Sequence, residues 1–210
     1  MQNPARHRWL ATIPALTALA AAAFFSAWAG APARDEPQLI TQIDEFPLRL
    51  DRPGRYRLSA TIDVPAGRSG IVISAPGVEL DLGGFSVRGP VLCSVEIDGT
   101  ECDTAPRAGL AGLQISAADV RVHNGHVRGF AGTGLRLDAR ATVEDVLLSD
   151  NAGPGLHANT SASQPVRLRR VQALRNGGDG FWVQNGQLEQ SGARANKGQD
   201  YALGALARQL

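Results

Sequence analysis

Across residues 70–203, apolar residues alternate with polar ones in short runs, and Gly, Pro, Asn or Asp closes each run. Ile71 and Ile73 flank Val72. Val78, Leu80 and Leu82 alternate with Glu79 and Asp81, and Phe85 and Val87 form a third run. A period of two bounded by turn residues predicts strands, three to each pass of the chain.

The pattern also repeats over a longer distance. A Gly followed by a hydrophobic residue recurs at Gly112-Leu113, Gly134-Leu135, Gly155-Leu156 and Gly180-Phe181, with Asp200-Tyr201 as a weaker member. The spacings are 22, 21, 25 and 20 residues, a range that signals a solenoid. Aligned on these markers, Leu135, Leu156, Phe181 and Tyr201 form one apolar column. Val122, Val143, Leu168 and Leu188 form a second, and Val127, Leu148, Ala173 and Ala193 a third. Three inward ladders per coil predict an all-β, right-handed, three-sheeted parallel β-helix of about five coils.

Two further columns belong to the turns. Asn151, Asn176 and Asn196 share one position, with Phe130 ahead of them. Asn tolerates left-handed backbone, and stacked Asn amides can bond from coil to coil. Gly132, Gly153, Gly178 and Gly198 share another position, which reads as a turn needing positive φ. The extra residues around 159–164 read as a loop outside the stack.

The ends frame this repeat. Residues 34–69 read as an N-terminal cap with the first strands, since a solenoid must cover its open end. The β-helix itself runs over residues 70–203. Residues 90–109 break the period and hold both cysteines, Cys93 and Cys102, with eight residues between them. This segment reads as a loop at a coil edge. Its cysteines form either a disulfide, which is worth about 2–3 kcal/mol on the chain-entropy view, or a pair of free thiols. Leu203, Leu206 and Leu210 lie three and four apart, the spacing of a short helix, and residues 204–210 read as a C-terminal cap. If that end is open, self-association through the solenoid end follows.

The bulk numbers narrow the classes. Formal net charge is +1, so no basic field marks a nucleic-acid partner. Arg6, His7 and Arg8 precede an apolar run from about residue 9 to 25 and small residues at Ala27–Ala29 and Ala31–Ala33. This is the form of a secretory signal peptide over residues 1–33, cut after Ala29 or Ala33. It implies a secreted or periplasmic protein with no membrane contact after cleavage, where a disulfide is stable.

The stretches Val78-Glu79-Leu80-Asp81-Leu82-Gly83-Gly84-Phe85 and Asn151-Ala152-Gly153-Pro154-Gly155-Leu156 carry a resemblance, as does Asn176-Gly177-Gly178-Asp179-Gly180-Phe181. The chain resembles secreted right-handed parallel β-helix repeat proteins of the pectate-lyase-like superfamily, and especially their small members without assigned activity. The resemblance covers about two thirds of the chain and implies the fold more strongly than a function. The superfamily includes pectate lyases, polygalacturonases, alginate lyases and mannuronan epimerases. Their Asn-Thr-Asp, Gly-His-Gly, Arg-Ile-Lys and Asp-Pro-His motifs are missing here.

Candidate chemistry is sparse. Paired-acid hydrolysis needs two carboxyl groups about 5–10 Å apart, and a Ca²⁺ site needs several carboxylates. No marker-aligned column stacks two carboxylates on neighbouring coils. No metal site or cofactor is expected, and His123 and His126 beside Asn124 supply too few ligands. Glu144 with Arg169 and Asp145 with Arg170 stack as surface ion pairs of small value. One outward row stands apart: Gln114, Arg136, His157 and Trp182. Rungs about 4.8 Å apart make it roughly 15 Å long. It mixes cationic and aromatic groups suited to an acidic polysaccharide. The expectation is a non-catalytic module that binds polysaccharide or serves a structural role at the cell envelope. The alternative is a polysaccharide lyase or epimerase with Arg136, His157 or His126 as its base.

Overall fold

The computed structural model describes residues 36–97 and 99–210; the signal-peptide assignment and its cleavage sites lie outside them. Every regular element among the described residues is a strand. All but the two strands of one hairpin stack in parallel register into three ladders that share one apolar core.

Sheet A contains Leu48–Leu50, Ile71–Ile73, Ala111–Ile115, Thr133–Leu137 and Leu156–Ala158, then the first halves of Phe181–Glu189 and Tyr201–Gln209. Sheet B begins with Gln38–Ile40, Gly54–Leu58 and Val78–Asp81 and ends on the second halves of those two long strands. Sheet C runs from Ile62–Asp63 through Ser86–Arg88 to Gly192–Arg194. Val120–Arg128 and Ala141–Ser149 each turn the corner from sheet B to sheet C. The apolar columns of the sequence are the observed rungs: Leu135 pairs with Leu156, Val122 with Val143 and Val127 with Leu148, all fully or almost fully buried.

The solenoid has about eight turns, not five. The additional rungs come from residues 36–69, where Tyr56 and Leu58 are already core residues. These coils turn at Pro and at Gly54 or Gly67, so they lack the Gly-hydrophobic marker that reveals the later ones.

The C-terminal segment is also a strand rather than a helix. Tyr201–Gln209 pairs with Phe181–Glu189, with a register shift between Val183 and Asn185. Leu203 opposes Val183 and Leu206 opposes Asn185. One extra residue in the later strand, a bulge, produces the three-residue spacing that mimics a helix.

Segment 90–109 is a hairpin. Cys93–Glu96 pairs antiparallel with Gly99–Cys102, and the Cys93–Cys102 disulfide joins its base. The hairpin lies along the stack rather than bulging free. Glu101 reaches Lys197 Nζ at 2.7 Å, and the buried Thr100 hydroxyl donates to the Ala195 carbonyl.

Where the chain leaves sheet C for sheet A, the Asn column forms a buried ladder. Asn151 Nδ2 donates to Asn176 Oδ1 at 2.9 Å, and Asn176 Nδ2 to Asn196 Oδ1 at 2.9 Å. The same Oδ1 atoms accept backbone N–H groups of Asn151 and Asn176, while Asn151 Oδ1 accepts that of Phe130. The left-handed residues are not these asparagines but the residues before two of them and before Asn196: Asp150 (φ 56°), Arg175 (φ 50°) and Ala195 (φ 55°). Nor do Gly132, Gly153, Gly178 and Gly198 have positive φ. They are required by close approach: a Cβ on Gly132 would sit 1.9 Å from the Leu110 carbonyl oxygen, and one on Gly153 2.8 Å from that of Gly132. The marker glycines serve the ladder too, since a Cβ on Gly155 would lie 2.8 Å from Asn176 Nδ2.

Asn176→Ala removes the Oδ1 that accepts both the backbone N–H and the side-chain amide of the buried Asn151, and also the bond from Asn176 Nδ2 to the Leu148 carbonyl. Buried orphans cost about 1–3 kcal/mol each. The expected loss is about 3 kcal/mol or more, measured as a fall in the urea midpoint. Asn196→Ala, at the last ladder position, costs less.

Candidate functional site

The outward positions of sheet A bring the predicted row together. Gln114 pairs with Arg136, Arg136 with His157 and His157 with Trp182. All four are partly exposed. Alternation along each strand sends Leu135, Leu156 and Phe181 inward and their successors outward. Rung pairing then sets the outward residues side by side.

The row is longer than the sequence indicates. Gln114 also pairs with Val72, and Val72 with the exposed Arg49. At the other end Trp182 pairs with Ala202. Arg49 falls outside the marker register because its coil has no Gly-hydrophobic pair. The row thus carries arginines on its first and fourth rungs and a Trp on its sixth.

Its chemistry is set by three contacts. The rings of His157 and Trp182 stack with centroids 4.3 Å apart and planes 13° from parallel. No long side chain follows Trp182 in the row, because the next residue is Ala202. Arg136 Nε lies 3.0 Å from each carboxylate oxygen of Asp138. Among the described residues its Nη atoms have no protein partner. The loop around residues 159–164 is anchored at Asn185: Thr160 Oγ1 donates to the Asn185 carbonyl and Asn185 Nδ2 to the Ser161 carbonyl.

Burial against Trp182 pushes the His157 imidazole below its ordinary range, and the nearby Arg136 charge adds to this. Asp138 and Asp179 oppose the shift without reversing it. His157 therefore presents a neutral ring at neutral pH, which favours flat stacking over charge.

Sheet B shows a different surface. Glu144 is 7% exposed, so it is not the surface residue the sequence suggests. Arg121 Nη2 holds it at 2.6 Å from one side and Arg169 Nη1 at 3.1 Å from the other. The hydrogen bond from Arg121 holds its carboxyl well below the usual carboxylate range. Arg170 pairs with Asp145 at 2.6 Å. Arg121 also reaches Glu79, and Glu79 lies 3.1 Å from His123 Nε2. These groups satisfy one another. Among the described residues no cluster of three or more His, Cys, Asp or Glu side chains could hold a metal ion.

His126 is on sheet C, away from the row. Its Nε2 lies 2.8 Å from Ser149 Oγ, whose hydroxyl in turn contacts Asp150. Burial, and then the Arg128 charge, push its pKa down to about 4. The structure therefore does not bring His126 together with Arg136 and His157, and His126 is a weak base.

No protein-family model, no curated protein and no solved structure matches this chain, so its functional reading rests on this surface geometry.

The displaced His126 pKa has a consequence for stability. An unfolded imidazole takes its proton near pH 6.5, the folded one only near 4. Between these values the unfolded state binds more protons, so stability falls as pH is lowered from about 6.5 to about 4. His126→Gln should flatten that part of a urea-midpoint profile, and NMR titration of His126 should give a midpoint near 4.

Proposed function

We propose that this protein is an exported, non-catalytic β-helix module, of the pectate-lyase-like kind, that binds an acidic polysaccharide through sheet A at the cell envelope. The observation that carries the reading is the Trp182 indole, stacked on His157 and followed in its row only by Ala202. Aromatic faces offer a flat apolar platform with low ordering cost. Arg136, with Nη atoms not used by protein, and the exposed Arg49 supply positive charge along the same line. With rungs about 4.8 Å apart, Arg49 and Arg136 are separated by roughly 14 Å, a distance that repeated uronate carboxylates span. The disulfide supports an oxidising compartment, and among the described residues no helix is long and apolar enough to cross a membrane.

Binding of oligogalacturonate and oligomannuronate, measured by calorimetry at low salt, tests the reading. Trp182→Ala should weaken binding by roughly tenfold, the equivalent of about 1.4 kcal/mol. Arg136→Ala should weaken it and reduce its salt dependence. Unchanged affinity in Trp182→Ala overturns the site. Steady release of unsaturated product that His157→Ala abolishes overturns the non-catalytic reading in favour of a lyase.

A further inference from the structure

A second basic feature lies on a different face, where sheet C meets the base of the disulfide hairpin. A groove of about 460 Å³ opens there. Arg88, Arg128 and Arg175 line it together with residues 90–93 at the base of the hairpin. Arg88 and Arg128 occupy adjacent rungs of one outward column, with Ser149 on the next. Arg175 reaches the groove from the left-handed turn position that precedes Asn176.

The three guanidinium groups are not equally compensated. Asp63 accepts from Arg88 Nε at 2.6 Å. Asp150 accepts from Arg175 through both oxygens, at 2.8 and 2.9 Å, and also from the Ser149 hydroxyl. Arg128 forms no salt bridge among the described residues, its charge being felt only at longer range by Asp63, and its Nε is buried without a hydrogen bond. Leaving a cation partly desolvated and unpaired is costly. The groove is the side from which compensation can come. The field is felt nearby, since Arg128 and Arg175 both disfavour the protonated form of His126.

We propose that this groove binds an oxyanion, a carboxylate or a sulfate, carried on a body of about monosaccharide size, with Arg128 as its principal anchor. Guanidinium groups bind such anions in paired, charge-assisted hydrogen bonds. The volume is within the range of small-ligand sites and far above that of a single water. Asp150 does not oppose the anion strongly, because both its oxygens are already engaged. The hairpin wall is fixed at Cys93–Cys102 and at Glu101–Lys197, so the groove is preorganised rather than formed on binding. The site does not depend on the Trp182 row.

Calorimetry and NMR shift mapping at pH 7 and low salt, with galacturonate, glucose 6-sulfate and glucose as probes, test it. Either anion should bind and perturb signals of Arg128 and of residues 90–93, and the better one identifies the group recognised. Glucose should not bind there. Arg128→Gln should lower the affinity by at least about tenfold without lowering the thermal midpoint, and Arg128→Lys should restore only part of it. Trp182→Ala should leave the affinity unchanged, which separates this site from sheet A. Replacing both cysteines by Ser should weaken binding. The inference fails if neither anion binds, if glucose binds equally well, or if Arg128→Gln binds like the parent.

Discussion

The amide ladder of Asn151, Asn176 and Asn196, whose first two members are fully buried, is the constraint on which the later coils depend. A coil that turns in three places must satisfy its backbone polar groups at every turn. At the passage from sheet C to sheet A, the turn is covered by the hairpin and cannot rely on water. Each of the first two Asn side chains donates to the next Asn and to a carbonyl of the preceding sheet C strand. Each of their successors accepts a backbone N–H in return. The left-handed conformations at Asp150, Arg175 and Ala195 are unfavourable for side-chain-bearing residues. They are tolerated because they aim the next amide into the stack. They also face their own side chains away from it, so that the Asp150–Arg175 pair forms part of the groove wall. Ladder and groove are two sides of one turn.

The same regularity explains the contrast between the outer faces. Parallel pairing in register places like positions side by side at one rung spacing. On sheet B this alignment interleaves Arg121, Glu144, Arg169 and Glu189 into mutual ion pairs. On sheet A it aligns Arg49, Gln114, Arg136, His157 and Trp182 with Asp138 as the acid in contact. A surface whose charges are already paired offers a ligand little. A row with unpaired guanidinium nitrogens and a stacked indole offers both charge and apolar area.

Much of this is legible in the sequence because period two and a coil-length repeat are both carried by residue type. The inward ladders, the Asn column and the Gln114-to-Trp182 row follow directly from counting positions. What escapes has physical causes. Gly132 and Gly153 look like positive-φ glycines, but spacing alone does not separate that need from close backbone approach. The bulge between Val183 and Asn185 turns a strand spacing into a helical one. Arg49 lies in a coil without the Gly-hydrophobic marker, and segment 90–109 separates Arg88 from the next marker at Gly112, so neither joins a column. Arg128 shares its column with Ser149 and Leu174, a signal that was present. Its significance depends on the hairpin packing across the turns, which no local pattern reveals.

Hydrogen exchange at the backbone amides of Phe130, Asn151 and Asn176, the three that donate into the ladder, tests its role most directly. If the ladder holds the coils together, these amides are among the slowest in the protein, exchanging only when the stack unfolds as a whole. Exchange as fast as that of the exposed turn at residues 66–69 would contradict it.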